Sequence, residues 1–198
     1  LVNELGAWCL RAAVADLRRW HGMGGTSLRI SVNVSPQQLH RDFVDQVLAE
    51  TSGIDRGSIE FEVTETAVIR NPHEAIELLT GLSEAGFRIA LDDFGTGYSS
   101  MSHVHQMPLD AVKIDRSFIS GLAVRAEARS ITEAVIMMCE AMNLEAVAEG
   151  VETEPQRRRL VELGCGEAQG FLFGRAMPAM KLEALMIERR MLPDGAVA

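Results

Sequence analysis

Short β-branched or apolar runs alternate with helix-patterned stretches along most of this 198-residue chain. That alternation restricts its fold more than any other feature, because repeated strand–helix units imply a parallel sheet with helices packed outside it. Leu5, Trp8, Cys9, Ala12, Ala13 and Trp20 recur at helical spacing, and Gly22, Gly24 and Gly25 then mark a loop. This glycine cluster follows no strand, so it is not a phosphate loop. Ile30, Val32 and Val34 alternate as a strand, and Ser35–Pro36 supply a cap and first-turn pair for a helix carrying Leu39, Phe43, Val44 and Val47. Ile59, Phe61 and Val63 read as the next strand. Asn71–Pro72 open a helix with Ile76, Leu79 and Leu82 that Gly86 closes. Further strands are expected at 87–91, 111–114 and 145–148, with a short one near 168–172. Helices are expected at about 126–142, 154–163 and 179–190.

The polar motifs all fall at the C-terminal ends of these six strands. An open doubly wound sheet would gather its site at one switch point, so the pattern fits a (β/α)8 TIM-like barrel better. A barrel of that kind needs eight strands, and about two are therefore expected to be missing ahead of the first one here. The chain opens without Met, inside a helical pattern, and reads as a piece of a longer protein. One domain is expected over 1–192, with 193–198 as a frayed tail. Six strands would leave two edges exposed, which predicts poor stability, aggregation or pairing with another copy.

The two adjacent aspartates in FRIALDDFGTGYSS, residues 87 to 100, carry the most chemistry. Asp92 and Asp93 sit where a strand ends, before a turn set by Gly95 and Gly97. Like charges side by side repel, and a divalent cation between them would make the pair favourable. A net charge of −9 excludes a nucleic-acid polymer as partner, since that needs a basic stripe, but permits an anionic small molecule if metal ions offset the acids. No apolar run of about 18 residues and no signal peptide occur, so no membrane contact is expected. Cys9, Cys139 and Cys165 are odd in number, far apart and in apolar segments. They read as buried thiols in a reducing, cytoplasmic compartment. Asn33-Val34-Ser35 matches a glycosylation site only formally.

In order, the strand ends read SVNVSP (31–36), FEVTET (61–66), LDDFGTGYSS (91–100), VKIDRSF (112–118), AVAEGVET (146–153) and AQGFLFGR (168–175). This series resembles the EAL-domain family of bacterial cyclic di-GMP phosphodiesterases over nearly the whole chain. The resemblance implies a two-metal site, Mg2+ or Mn2+, that opens one phosphodiester bond of cyclic di-GMP to give linear pGpG. It implies Asn33 and Glu62 as ligands of a first metal, Asp92 as the bridging ligand, and Asp93 and Glu149 as ligands of a second. Glu149 would also be the general base, Lys113 would orient the attacking water, and Gln169 would contact the metal-bound water network. Glu65 resembles an anchor of the 92–100 loop and Glu152 a supporting carboxylate. Oxygen donors suit hard Mg2+ or Mn2+, and two such ions suit phosphodiester cleavage. The resemblance also implies a homodimer formed near that loop, and a parent protein with GGDEF, sensory or membrane segments.

Simpler roles compete at several positions. Asn33 could cap the helix at Pro36, with about even odds. Glu65 could be a helix N-terminal charge, Lys113 a salt-bridge partner, and Glu149–Gly150 and Gln169–Gly170 turn residues only. His103 and His105 diverge and read as surface or loop-packing residues, and Met137, Met138 and Met142 as core filling. Glu-Ala-Leu, the motif that names the family, belongs on an early strand with an arginine shortly after it. Here it occurs only at 183–185, within the last helix, as a coincidence. Ala176 stands where the family has proline. An active phosphodiesterase whose front strands lie outside this chain therefore competes with an inactive cyclic di-GMP-binding or regulatory domain. An unrelated metal-dependent barrel hydrolase would not explain the ordered motifs.

Overall fold

The computed structural model describes residues 1–25, 27–95 and 104–188, the side chains of Ile69 and Arg70 excepted. Helix α1 (Val2–Gly22) leads into β1 (Ile30–Val34), α2 (Phe43–Glu50), a single 3-10 turn (Arg56–Ser58) and β2 (Ile59–Thr64). Then come α3 (Glu65–Arg70), α4 (Pro72–Glu84), β3 (Arg88–Phe94), β4 (Ala111–Ile114), α5 (Arg116–Ser120) and α6 (Ala126–Ala141). The order ends with β5 (Glu145–Ala148), α7 (Glu154–Glu162), β6 (Glu167–Ala168) and α8 (Ala179–Glu188). The strands form one parallel sheet in the order β1-β2-β3-β4-β5-β6. Among the described residues β1 and β6 each have one neighbour, so the sheet is not closed by hydrogen bonds.

Side chains alternate across each strand, and here both faces are used. Ile59, Phe61, Val63, Ile89, Leu91, Val112 and Ile114 are at most 1% exposed and form one core with Leu10, Val14, Leu17, Leu79, Leu82 and Ile119 of the helices. Each such aliphatic or aromatic side chain contributes about 1.5–3 kcal/mol by leaving water. Edge-to-face contacts join Phe43, Phe61 and Phe87, tying α2 to β2 and to the approach to β3.

The opposite face is polar. At its floor Arg88 meets Glu60 at 3.3 Å and Glu145 at 2.7 Å, while Arg29 meets Glu167 at 2.7 Å and Glu145 at 3.4 Å. Arg29 directly precedes β1 and Glu167 opens β6. A single side chain thus joins the two rims of the sheet at the N-terminal end of its strands, which requires the sheet to be rolled.

Several expectations need correction. The helix expected from Pro36 starts at Phe43, because residues 36–38 form a turn with Ser35 O accepting from Gln38 N. The strand expected over 168–172 is confined to Glu167–Ala168, for reasons given below. Helix α3 is short and was anticipated only in the competing reading of Glu65 as a helix N-terminal charge, and α5, also short, was not expected. Cys9 is exposed and only Cys139 is fully buried, with Cys165 intermediate. Met137 is 63% exposed, on the outer face of α6. His105 lies exposed in a turn, whereas His103 and the tail 193–198 fall outside the described residues. The Glu-Ala-Leu at 183–185 is in α8, as expected.

Candidate active site

Above the charged floor, the polar face carries a second tier. Glu62 and Lys113 occupy the strand position where a TIM barrel more often places bulky aliphatics, and both are nearly buried, at 6% and 5% exposure. Lys113 Nζ lies 2.8 Å from Glu62 Oε1, 2.6 Å from Glu149 Oε1 and 3.5 Å from Asp92 Oδ1. Gln169 Nε2 donates to Glu149 Oε1 at 2.6 Å. One ammonium therefore gathers carboxylates from β2, β3 and the end of β5, and β6 contributes through the residue that follows it.

Adjacent strand residues normally face opposite sides of a sheet, which would separate Asp92 from Asp93. The structure resolves this with an irregularity in the β3–β4 register between Leu91 and Phe94. Asp93 takes φ 55°, a left-handed conformation that Asp tolerates better than most residues, and its amide donates to Asp92 Oδ1 at 2.9 Å. As a result Asp92, Asp93 and Glu149 each offer a carboxylate oxygen within 4.8 Å of the others. Oxygen donors at this spacing fit a hard divalent cation.

The charges explain the proton affinities. Burial holds the Lys113 ammonium down, but Glu149 and Glu62 outweigh it and raise its pKa above the usual lysine value. Glu149 is also raised: burial dominates, and Asp92 and Glu62 offset part of the help from Lys113. An isolated pair would lower the acid while raising the base. Here three carboxylates (Glu62, Asp92 and Glu149) share one ammonium, with the Asp93 carboxylate beside them. Asp93 is raised by burial, then by Asp92 and Asp115.

Other expected residues are placed less centrally. Asn33 is exposed on β1, in register with Glu62, and shares no described hydrogen bond with the cluster. Glu65 is the first residue of α3, and both its carboxylate oxygens are buried without a hydrogen-bond partner. The loop it was expected to anchor lies, from residue 96 on, outside the described residues. Glu152 is exposed, and its amide donates to Gln156 Oε1 at 2.9 Å in the capping turn of α7. Sequence reasoning missed Asp115, which caps α5 through the Ser117 amide at 2.9 Å and adds to the field on Asp93. Its Asp-x-Ser capping pattern was the available signal.

Comparison with known proteins agrees with this architecture. The sequence model of the EAL domain matches residues 1–176. The cyclic di-GMP phosphodiesterase NbdA of Pseudomonas aeruginosa is 41% identical over 189 residues, covering 94% of this chain and 24% of NbdA. The crystal structure of the EAL domain of Mycobacterium smegmatis DcpA superposes with a TM-score of 0.90 at 40% identity, covering 95% of this chain and 86% of that one. Klebsiella pneumoniae BlrP1, in a manganese and cyclic di-GMP complex, gives 0.73 at 30% identity, covering 88% and 44%. The fold is thus the α/β architecture of EAL barrels. The chain belongs to the EAL-domain family, the family of cyclic di-GMP phosphodiesterases, and spans about a quarter of NbdA's length.

Proposed function

We propose that this chain is a metal-dependent phosphodiesterase that hydrolyses cyclic di-GMP to linear pGpG in bacterial second-messenger signalling. The observation that carries this reading is the convergence of Asp92, Asp93 and Glu149 within 4.8 Å, beside Lys113. Asp92, Asp93 and Glu149, with Glu62 and Asn33, would hold two divalent cations, Mg2+ or Mn2+. When bound, such a pair supplies Lewis-acid activation of water and charge stabilisation at the leaving oxygen.

The side chains supply the rest. Glu149, its carboxyl raised by burial, takes the proton of the attacking water on a carboxylate oxygen. Gln169 holds that carboxylate in place through Oε1. Lys113 Nζ orients the water and offsets negative charge on the phosphate. Water oxygen bonds to phosphorus, the phosphorus–ribose oxygen bond on the opposite side breaks, the leaving ribose oxygen takes a proton from solvent to become a hydroxyl, and the ring opens. Glu65 and Glu152 act outside this cluster, as supports.

A second reading is a domain that binds cyclic di-GMP without hydrolysing it. The test is cyclic di-GMP hydrolysis in Mg2+ or Mn2+, with this chain compared with a form extended at its N-terminus. Production of pGpG by either form supports the enzyme. Binding without turnover in both supports the second reading, and neither binding nor turnover overturns both.

A further inference from the structure

We infer that Lys113 is a built-in competitor for divalent cations: its ammonium engages the carboxylates that would hold a metal and weakens metal binding, so that the site fills in step with the surrounding metal concentration. This deepens the metal-dependent phosphodiesterase reading and rests on it. Lys113 Nζ contacts Glu62 Oε1, Glu149 Oε1 and, at 3.5 Å, Asp92 Oδ1. Two of these acids, Asp92 and Glu149, belong with Asp93 to the set whose oxygens converge within 4.8 Å. Glu62 is tied to that set by the ammonium. A cation held by Asp92 and Glu149 therefore shares its donors with a positive charge that is 5% exposed and poorly screened by water.

The residue type fits this role. The chain has two lysines, Lys113 and Lys181, among its 19 Lys and Arg residues. The cationic side chains of the other ion pairs among the described residues are Arg or His. A guanidinium in this position would grip a carboxylate with a planar, bidentate fork. An ammonium is a compact point charge on a flexible stem, and it can withdraw when a stronger charge arrives. The charges give the same order of events. Two divalent cations balance Glu62, Asp92, Asp93 and Glu149 in full, and the ammonium is then surplus until the phosphate of the substrate offers it a new partner.

The test measures Mn2+ binding by calorimetry in the unaltered chain and in Lys113→Met, which removes the charge and keeps an unbranched stem. We expect K113M to bind Mn2+ about tenfold more tightly, because the competing charge is gone. A purely structural Lys113 would leave the Mn2+ Kd unchanged or raise it, and either result overturns the inference while the functional reading stands. Because K113M loses stability without metal, a second measurement uses the unaltered chain alone. With isotope-labelled lysine, NMR reads Lys113 and the exposed Lys181 separately. Saturating Mg2+ should hasten exchange of the Lys113 ammonium protons with water and leave Lys181 as it was. Ammonium protons of Lys113 that exchange no faster at saturation overturn the inference, whatever K113M does. An unaltered chain that binds neither Mn2+ nor Mg2+ overturns the inference together with the metal-dependent reading.

Discussion

Lys113 supplies the only ammonium contact to the carboxylates of the described site, and its removal should be felt twice. Replacing it with Met leaves Glu62 and Glu149 buried without their counter-charge, which costs about 3–5 kcal/mol in the absence of metal. Denaturant unfolding should show that loss, and added Mn2+ should recover much of it while hydrolysis stays abolished. Cys139 makes a separate prediction at the other side of the core. Burial, then the neighbouring Cys165, pushes its thiol up from 9.0 to about 11. A raised folded-state value means the neutral thiol favours the fold below pH 9, and this contribution disappears as pH rises through about 11. Thermal unfolding between those limits should fall more steeply in the unaltered chain than in Cys139→Ala.

At the scale of elements, the strand runs announced themselves through alternation, and four of six were placed within a residue or two, while β3, expected at 87–91, runs on to Phe94. The sixth was misread because Phe171, Leu172 and Phe173 look like a strand in composition, whereas the chain there docks on Val151 and turns. No local pattern encodes a contact with a backbone some twenty residues away. The same limit applies to the site. Asp92, Asp93, Lys113 and Glu149 were legible as polar residues at strand ends. Their convergence on Lys113, and the left-handed Asp93 that turns a repelling pair into a common donor set, are properties of register. The Asn33 and Glu65 alternatives could not be decided from spacing, since both caps and ligands use the same residue types. Gly170→Ala tests the docked turn. Overpacking against Val151 should cost about 1–3 kcal/mol in urea unfolding. It should also lower kcat by displacing the Gln169 contact with Glu149.

For the whole molecule, the rims of β1 and β6, which have no further strand beside them among the described residues, matter most. Exposed strand edges invite pairing, and sedimentation velocity should show concentration-dependent association of this chain, with a single monomeric species as the contrary result. Arg29→Ala should lower stability by about 1 kcal/mol, because its two carboxylate partners are half-exposed, and should increase association. The consequence is a seam. One tier of the polar face is nearly sealed from solvent, and the other closes the rolled sheet with ions that water can reach. With a Debye length of about 8 Å at physiological ionic strength, dissolved salt loosens the second tier and barely touches the first. Salinity is therefore a dial on how far the seam gapes, at the end of the molecule opposite its chemistry.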